Sequence, residues 1–376
     1  MTSSISQFLT TRHGRVFRWL SCAILLISVP SGNLSAQPEE VQVQKCWGHS
    51  SKPAGRSFLT AFGEAIYSVR EGSIIESLAV DSGKLIWSID VGGSVSSNLV
   101  SDGQSVYFVR RSGGVADNVS GTTLMSISAN AGITRWKVPL RAGEEYKLAI
   151  TKTGILLITG SGEVSVLSIA DGSIVSSRKF TQSISLETPD LGQRSIFSTI
   201  EKDIFAVDGT ELPQLMSRSE SAVTALLPEA GGGVFYGNDR GILAFLSGKG
   251  SRPVWQFKSG GAISDIILSD GRIIAASNDN FVYALAPANG ARLWKRRVSG
   301  RVSALKMVGE DLLLVQPLSD DNIVILNIKN GSVAGQIPAT AGEFVLGSVV
   351  IDSNRVVVAT GEALYGYAIG GCRTGK

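Results

Sequence analysis

Histidine occurs twice and cysteine three times in 376 residues, and that scarcity removes several catalytic chemistries at once. Beyond the first 36 residues one histidine remains, His49, so histidine activation of a serine or cysteine nucleophile has a single residue to draw on. His49 is expected to be a surface or closure residue. No Cys/His spacing suggests zinc. Gly231-Gly232-Gly233 lacks the following Lys-Ser/Thr and helix of a phosphate cradle and reads as a strand-end turn. Apolar residues after the N-terminal segment never hold a 3.6-residue period over ten positions, so helices are expected to be scarce. No catalytic, cofactor-binding or metal-binding residue is assigned.

An excess of one charge is missing too. Arg12, Arg15 and Arg18 precede an apolar run at residues 19–29, and Leu34-Ser35-Ala36 offers a cleavage site before Gln37. Residues 1–36 are therefore expected to be a cleaved signal peptide and 37–376 a single domain, periplasmic or secreted. The apolar run falls short of the ~20 residues that a spanning helix needs. Removing the leader's three arginines leaves 32 basic against 32 acidic residues. That balance offers no electrostatic case for nucleic acid. Cys22 precedes the apolar core instead of following it, the wrong place for lipid attachment, so any membrane association is expected to be peripheral.

Cys46 and Cys372 survive this removal. An even count in an oxidising compartment suggests a disulfide between them, the alternative being two free thiols.

What the chain does have is a repeat. Trp87, Trp136, Trp255 and Trp294 each close a segment in which a short apolar strand enters a glycine-bearing turn. Turn glycines at 83, 132, 172, 209, 250, 290, 331 and 371 are spaced by 49, 40, 37, 41, 40, 41 and 40 residues. The long first step holds a polar insertion from Arg111 to Gly121. Short β-type runs separated by Gly, Asp and Ser clusters fill each interval, as in Ile273–Ala276 and Phe281–Leu285. A period near 40 with about four strands per unit matches a propeller blade. The fold class expected is all-β, an eight-bladed propeller of four-stranded antiparallel blades. The last blade lacks its outermost strand, and Val41 to Trp47 supplies one. That closure places Trp47 in the tryptophan slot and brings Cys46 near Cys372. Trp47, Trp87, Trp136, Trp255 and Trp294 are expected to dock between neighbouring blades. Ser176 and Gly335 fill the slot in two blades, and Met216 in a third if its turn carries extra residues.

Val282-Tyr-Ala-Leu-Ala286, Ile204-Phe-Ala-Val-Asp208 and Ser82-Gly-Lys-Leu-Ile-Trp87 resemble the pyrroloquinoline-quinone-type repeat. The resemblance spans nearly the whole mature chain and implies one of two functions, since enzymes and scaffolds share the repeat. Quinone-dependent dehydrogenases of this type stack their cofactor on a disulfide of adjacent cysteines, a pair this chain lacks. The other branch is similar to the outer-membrane assembly factor of the β-barrel insertion machinery, an eight-bladed periplasmic propeller.

The function expected is thus a non-enzymatic, monomeric binding scaffold of the cell envelope, with no cofactor and no nucleic acid. Its expected partners are other envelope or secreted proteins, outer-membrane assembly components among them, bound by strand addition to an exposed sheet edge. The insertion between Arg111 and Gly121 is a candidate contact loop. A quinone-dependent oxidoreductase or a carbohydrate-binding propeller is the alternative. Asn238-Asp239, Asn278-Asp279-Asn280, Asp320-Asp321-Asn322 and Glu144-Glu145 could ligate calcium in principle, but Asn and Asp also suit tight turns, and that reading is preferred.

Overall fold

The computed structural model describes residues 40–55, 58–113, 121–186, 190–191, 194–208, 214–248, 251–318, 322–338, 340 and 342–372. The expected signal peptide, most of the 111–121 insertion, the turn glycines Gly209 and Gly250, and Asp320-Asp321 lie outside them. Residues Pro38–Lys376 form one compact unit.

Eight antiparallel sheets follow one another along this unit, at residues 59–90, 94–140, 146–179, 190–218, 223–258, 263–297, 302–337 and 345–369. They are numbered here as blades 1 to 8. In blades 1 to 7 each strand pairs with the next in sequence, so the chain runs from the innermost to the outermost strand before entering the next blade. Blade 2 departs slightly, because its innermost strand is split into Ser94–Val95 and Val100–Ser101, both paired with Ser105–Ser112. Blade 8 has the order Val345–Val350, Arg355–Thr360, Ala363–Ile369 and then Val43–Ser50. The N-terminal strand therefore completes the last blade and makes the eight-bladed propeller a closed ring. No α-helix occurs among the described residues.

The second and third strands are the buried ones, as in Ile155–Thr159 and Glu163–Leu167. Their near-continuous apolar character follows from being covered on both faces by neighbouring blades. The core is accordingly not one central mass but a series of layers between blades. One layer joins Tyr67, Val69 and Ile75 of blade 1 to Val106, Phe108 and Met125 of blade 2. Another joins Val357 and Leu364 of blade 8 to Ile66 and Leu78 of blade 1, so the closing interface is packed like the rest. Outermost strands alternate exposed and half-buried residues, as half-covered strands do.

Candidate functional site

Each outermost strand carries a β-bulge just after its turn, and the residue following the bulge is the tryptophan slot. Trp87 pairs across from Ser77, Trp136 from Ser126, Trp255 from Phe245, Trp294 from Ala284 and Trp47 from Gly366. From there every indole reaches the turn of the following blade. Its N–H donates to a backbone carbonyl: Trp47 to Val80 at 2.7 Å, Trp87 to Ala129 at 2.9 Å, Trp136 to Ile169 at 3.0 Å, Trp255 to Pro287 at 2.8 Å, and Trp294 to Ile328 at 2.9 Å. Each ring also covers that turn's glycine: Gly83, Gly132, Gly172, Gly290 and Gly331 respectively. The near-constant spacing in sequence thus links a tryptophan to the glycine of its own repeat, whereas the contact is made with the next one. Trp255 is buried and the other four are half-buried. Its extra residue of offset does not move it from the slot.

Blade 4 requires a correction. Met216, not Ser217, was expected in the slot, but Met216 sits at the bulge and packs on the core, while Ser217 pairs across from Ile204. The Ser217 hydroxyl donates to the carbonyl of Ser251 in blade 5 at 2.8 Å, the same bond in miniature that the indoles make. Ser217 follows Gly209 by eight residues, where four separate glycine and slot in most blades, so a count from the turn glycine does not locate it. Ser176 does occupy the slot of blade 3, across from Val166. In blade 7 the slot holds Gly335, and the space an indole would fill is taken by Val41, whose backbone N–H donates to Ala334 at 2.7 Å.

At the ring closure Cys46 and Cys372 form a disulfide. Cys46 is itself the bulge residue of its strand, between Lys45 and Trp47. The bond takes both cysteines of the described chain, and no adjacent pair of the quinone-stacking kind remains. Nearby, the Arg355 guanidinium of blade 8 is bound by Asp352 at 2.8 Å and by Glu64 and Asp81 of blade 1 at 2.8 and 2.6 Å. The hydrogen bonds it donates to Glu64 hold it firmly protonated although only 11 % of the side chain is exposed. His49 lies 3.4 Å from the buried Glu76, which also binds Arg70 and Ser51. These contacts serve the seam between the first and last blades. The crevice beside Trp47 and Arg355 measures about 30 Å³, room for about one water.

The acidic turns bind their own backbone. Asn238 Oδ1 accepts from the N–H groups of Arg240 and Ile242. Asp279 accepts from Gly260, Phe281 and the Tyr283 hydroxyl, the last at 2.7 Å. Burial, reinforced by that carboxylate, pushes the Tyr283 hydroxyl up to about 12. Gly231 to Gly233 form a turn closed by Glu229. Among the described residues no three His, Cys, Asp or Glu side chains converge on a point suited to a metal ion.

Sequence reasoning missed a second set of inter-blade links, on the innermost strands. Asn98 of blade 2 both donates to and accepts from the backbone of Leu148 in blade 3, at 2.9 Å each way. Thr224 donates to Ile263, Asp265 accepts from the Leu305 N–H at 2.7 Å, and Lys306 donates to Ser348. Burial pulls the Lys306 ammonium down to about 8, with Asp265 opposing the shift. Such residues have no fixed type or offset in sequence; their shared feature is a polar side chain facing an unpaired strand edge.

Two surface features complete the picture. The outermost strands expose apolar side chains along open sheet edges, including Leu85, Ile86, Ile174, Val175, Leu215, Val254 and Leu293. Between blades 2 and 3 lies a cleft of about 240 Å³, walled by Val138, Leu140, Leu157 and Leu167, with Glu144 and Glu163 among its polar groups. Burial, then the Glu144 and Glu163 carboxylates, raises the Tyr146 hydroxyl above the usual phenol range in this cleft. Arg111, at the start of the polar insertion, donates to the Glu144 carbonyl at the cleft's border.

The family model described as outer membrane protein assembly factor BamB matches residues 42–211 and again 201–368. The chain belongs to that family. Many solved structures share the fold, three of which illustrate it. BamB from Moraxella catarrhalis is 15 % identical, with a TM-score of 0.63 over 87 % of this chain and 98 % of that one. The computationally designed Ika8 protein is 14 % identical, with a TM-score of 0.72 over 87 % of this chain and 100 % of its own. The C-terminal WD40 domain of Sif2 is 11 % identical, with a TM-score of 0.68 over 89 % and 99 %. At these identities the likeness concerns architecture alone. No curated protein matches the chain.

Proposed function

We propose that this chain is an exported, monomeric and non-enzymatic propeller that binds other proteins of the cell envelope, in the manner the family description of an outer-membrane assembly factor suggests. The observation that carries the reading is the set of open outer edges bearing exposed Leu85, Ile86, Ile174, Val175 and Leu215 on a ring locked by its own termini. Unpaired strand edges with apolar side chains are natural sites for β-addition. Rigid blades hold those edges and the connecting loops in fixed positions, which lowers the entropic cost of binding. Export is supported by the disulfide, which suits an oxidising compartment.

The test is fractionation of the native host followed by cross-linking and affinity capture of the tagged full chain. The expected result is recovery from the envelope fraction, with reproducible outer-membrane or periplasmic protein partners. Recovery from the cytosol with both thiols free would sink the export reading. Saturable turnover in a dye-coupled dehydrogenase assay with added quinone and calcium would sink the non-enzymatic one.

A further inference from the structure

The cleft between blades 2 and 3 differs from the neighbouring interface in one respect. In blade 4, Asp203 lies across from Arg218 and is clamped by it, Nε to Oδ1 at 2.5 Å and Nη2 to Oδ2 at 2.8 Å, with Gln182 adding a third bond at 2.8 Å. In blade 3, Glu163 lies across from Lys179 in the same kind of pairing. Yet Lys179 turns away and donates to the carbonyl and hydroxyl of Ser161 at 2.7 and 2.9 Å. The Glu163 carboxylate keeps a single hydroxyl donor, Ser177 at 3.0 Å, which is bonded in turn to Ser165. Among the described residues it has no cationic partner. The second carboxylate, Glu144, is 17 % exposed and among the described residues is ion-paired with one group, Arg141 at 4.0 Å, whose own side chain is 68 % exposed.

The volume narrows the choice of ligand. About 240 Å³ lies below the ~300–1,000 Å³ of sites for drug-sized molecules. It exceeds by several-fold the ~30 Å³ share of one water. The apolar walls suit an aliphatic stem, and the carboxylates suit a cationic head, which is the division of chemistry along an arginine or lysine side chain. The cleft also borders the outermost strand Ile174–Lys179, where Ile174 and Val175 are 61 % and 60 % exposed. A segment added along that open edge projects alternate side chains toward each face, one of them the face of the cleft.

We infer that this cleft is a receptor for one basic side chain of an extended segment of a protein partner, its cation bound by Glu163 and Glu144 and its stem held between Val138, Leu140, Leu157 and Leu167. The source of the cation rests on the reading of the chain as a protein-binding propeller; the chemistry of the cleft does not.

The experiment titrates the full mature chain with the peptide acetyl-Val-Thr-Arg-Val-Thr-amide and with its citrulline analogue, which keeps the shape of arginine and loses the charge. Agmatine, a free guanidinium on a short alkyl chain, is the competitor. Binding of the arginine peptide about tenfold or more tighter than the citrulline peptide is expected, the size of a charge-assisted bond. Glu163→Gln should abolish the difference, and Arg141→Ala, which removes a like charge at the mouth, should enlarge it. Agmatine should displace the arginine peptide, and its binding stands or falls independently of whether envelope partners are captured. Equal binding of the two peptides, or an unchanged ratio in Glu163→Gln with unaltered thermal unfolding, overturns the inference. So does failure of agmatine to compete. Ser165→Leu, which fills the cleft while leaving both carboxylates, should block the arginine peptide; retained binding in that variant also overturns it.

Discussion

Trp47 lies across Gly83 of the neighbouring blade, so closely that a Cβ on that glycine would come within 2.4 Å of the indole. The glycine also sits at φ +63°, in the left-handed region. One residue thus answers two demands: a backbone conformation that L side chains resist, and a surface flat enough to seat an aromatic ring. The same pairing recurs at Gly132 with Trp87 and at Gly331 with Trp294.

Gly331→Ala and Gly63→Ala separate these two demands. Gly63 has φ +57° but nothing within 4 Å of an added Cβ, so alanine there costs only the backbone term, about 1 kcal/mol. Gly331→Ala adds a clash at 2.6 Å with Trp294 and should destabilise by clearly more. Chemical denaturation of both variants measures the gap. Equal losses would show that the indole does not constrain the glycine.

Trp294→Ala should cost about 2–3 kcal/mol from lost apolar burial. Ser217→Ala, which removes only the hydroxyl's bond to Ser251, should cost about 1 kcal/mol. Thermal unfolding checks the order of the two. A partner-binding loss in Trp294→Ala with an unchanged melting temperature would contradict a docking role for the ring.

Replacing Cys46 and Cys372 together by serine opens a loop with a sequence separation of 326 residues. The chain-entropy model allows a loss of up to ~5 kcal/mol. Hydrogen exchange should accelerate first at Val43–Ser50, the strand that loses its covalent tie and then depends on its pairing with Ala363–Ile369 and on the docking of Trp47. Uniform acceleration throughout the ring would argue that the seam is no weaker than the other interfaces.

Lys306 gives the propeller a pH dependence of definite sign. Its folded-state pKa is about 8 against 10.5 for the free side chain. Across that interval the unfolded chain holds more protons than the folded one, so this group makes stability rise with pH. The groups facing it are Asp265, which opposes the shift, and the Ser348 carbonyl, to which it donates. Unfolding free energies measured from pH 7 to 10.5 should therefore converge between the wild type and Lys306→Met as pH rises. Parallel curves would place the ammonium in contact with water.

Much of the ring is legible in the order of the residues because its punctuation is local. A turn glycine with positive φ, an apolar run and an aromatic near a fixed offset all lie within a dozen residues, and their repetition counts the blades. Pairing of Cys46 with Cys372 is legible for a related reason: a missing outer strand at one end and a spare one at the other specify where the ends meet. The cleft between blades 2 and 3 was not legible. Glu163 and Asp203 look alike in the chain, each opposite a basic residue, and only the rotamer of Lys179 toward Ser161 leaves one of them without a cation.

Local turn chemistry and strand periodicity were enough to dictate an all-β ring of eight units and the identity of its closing strand. Which residues touch across the units was settled only by folding. The indoles grip glycines one repeat further on, Ser217 takes the place of a tryptophan through a bulge, and Asn98 and Asp265 fasten neighbouring inner strands. Away from the ring closure, these contacts between blades join residues some 32 to 50 positions apart, and the rotation from one sheet to the next, rather than any spacing along the chain, selects the partners.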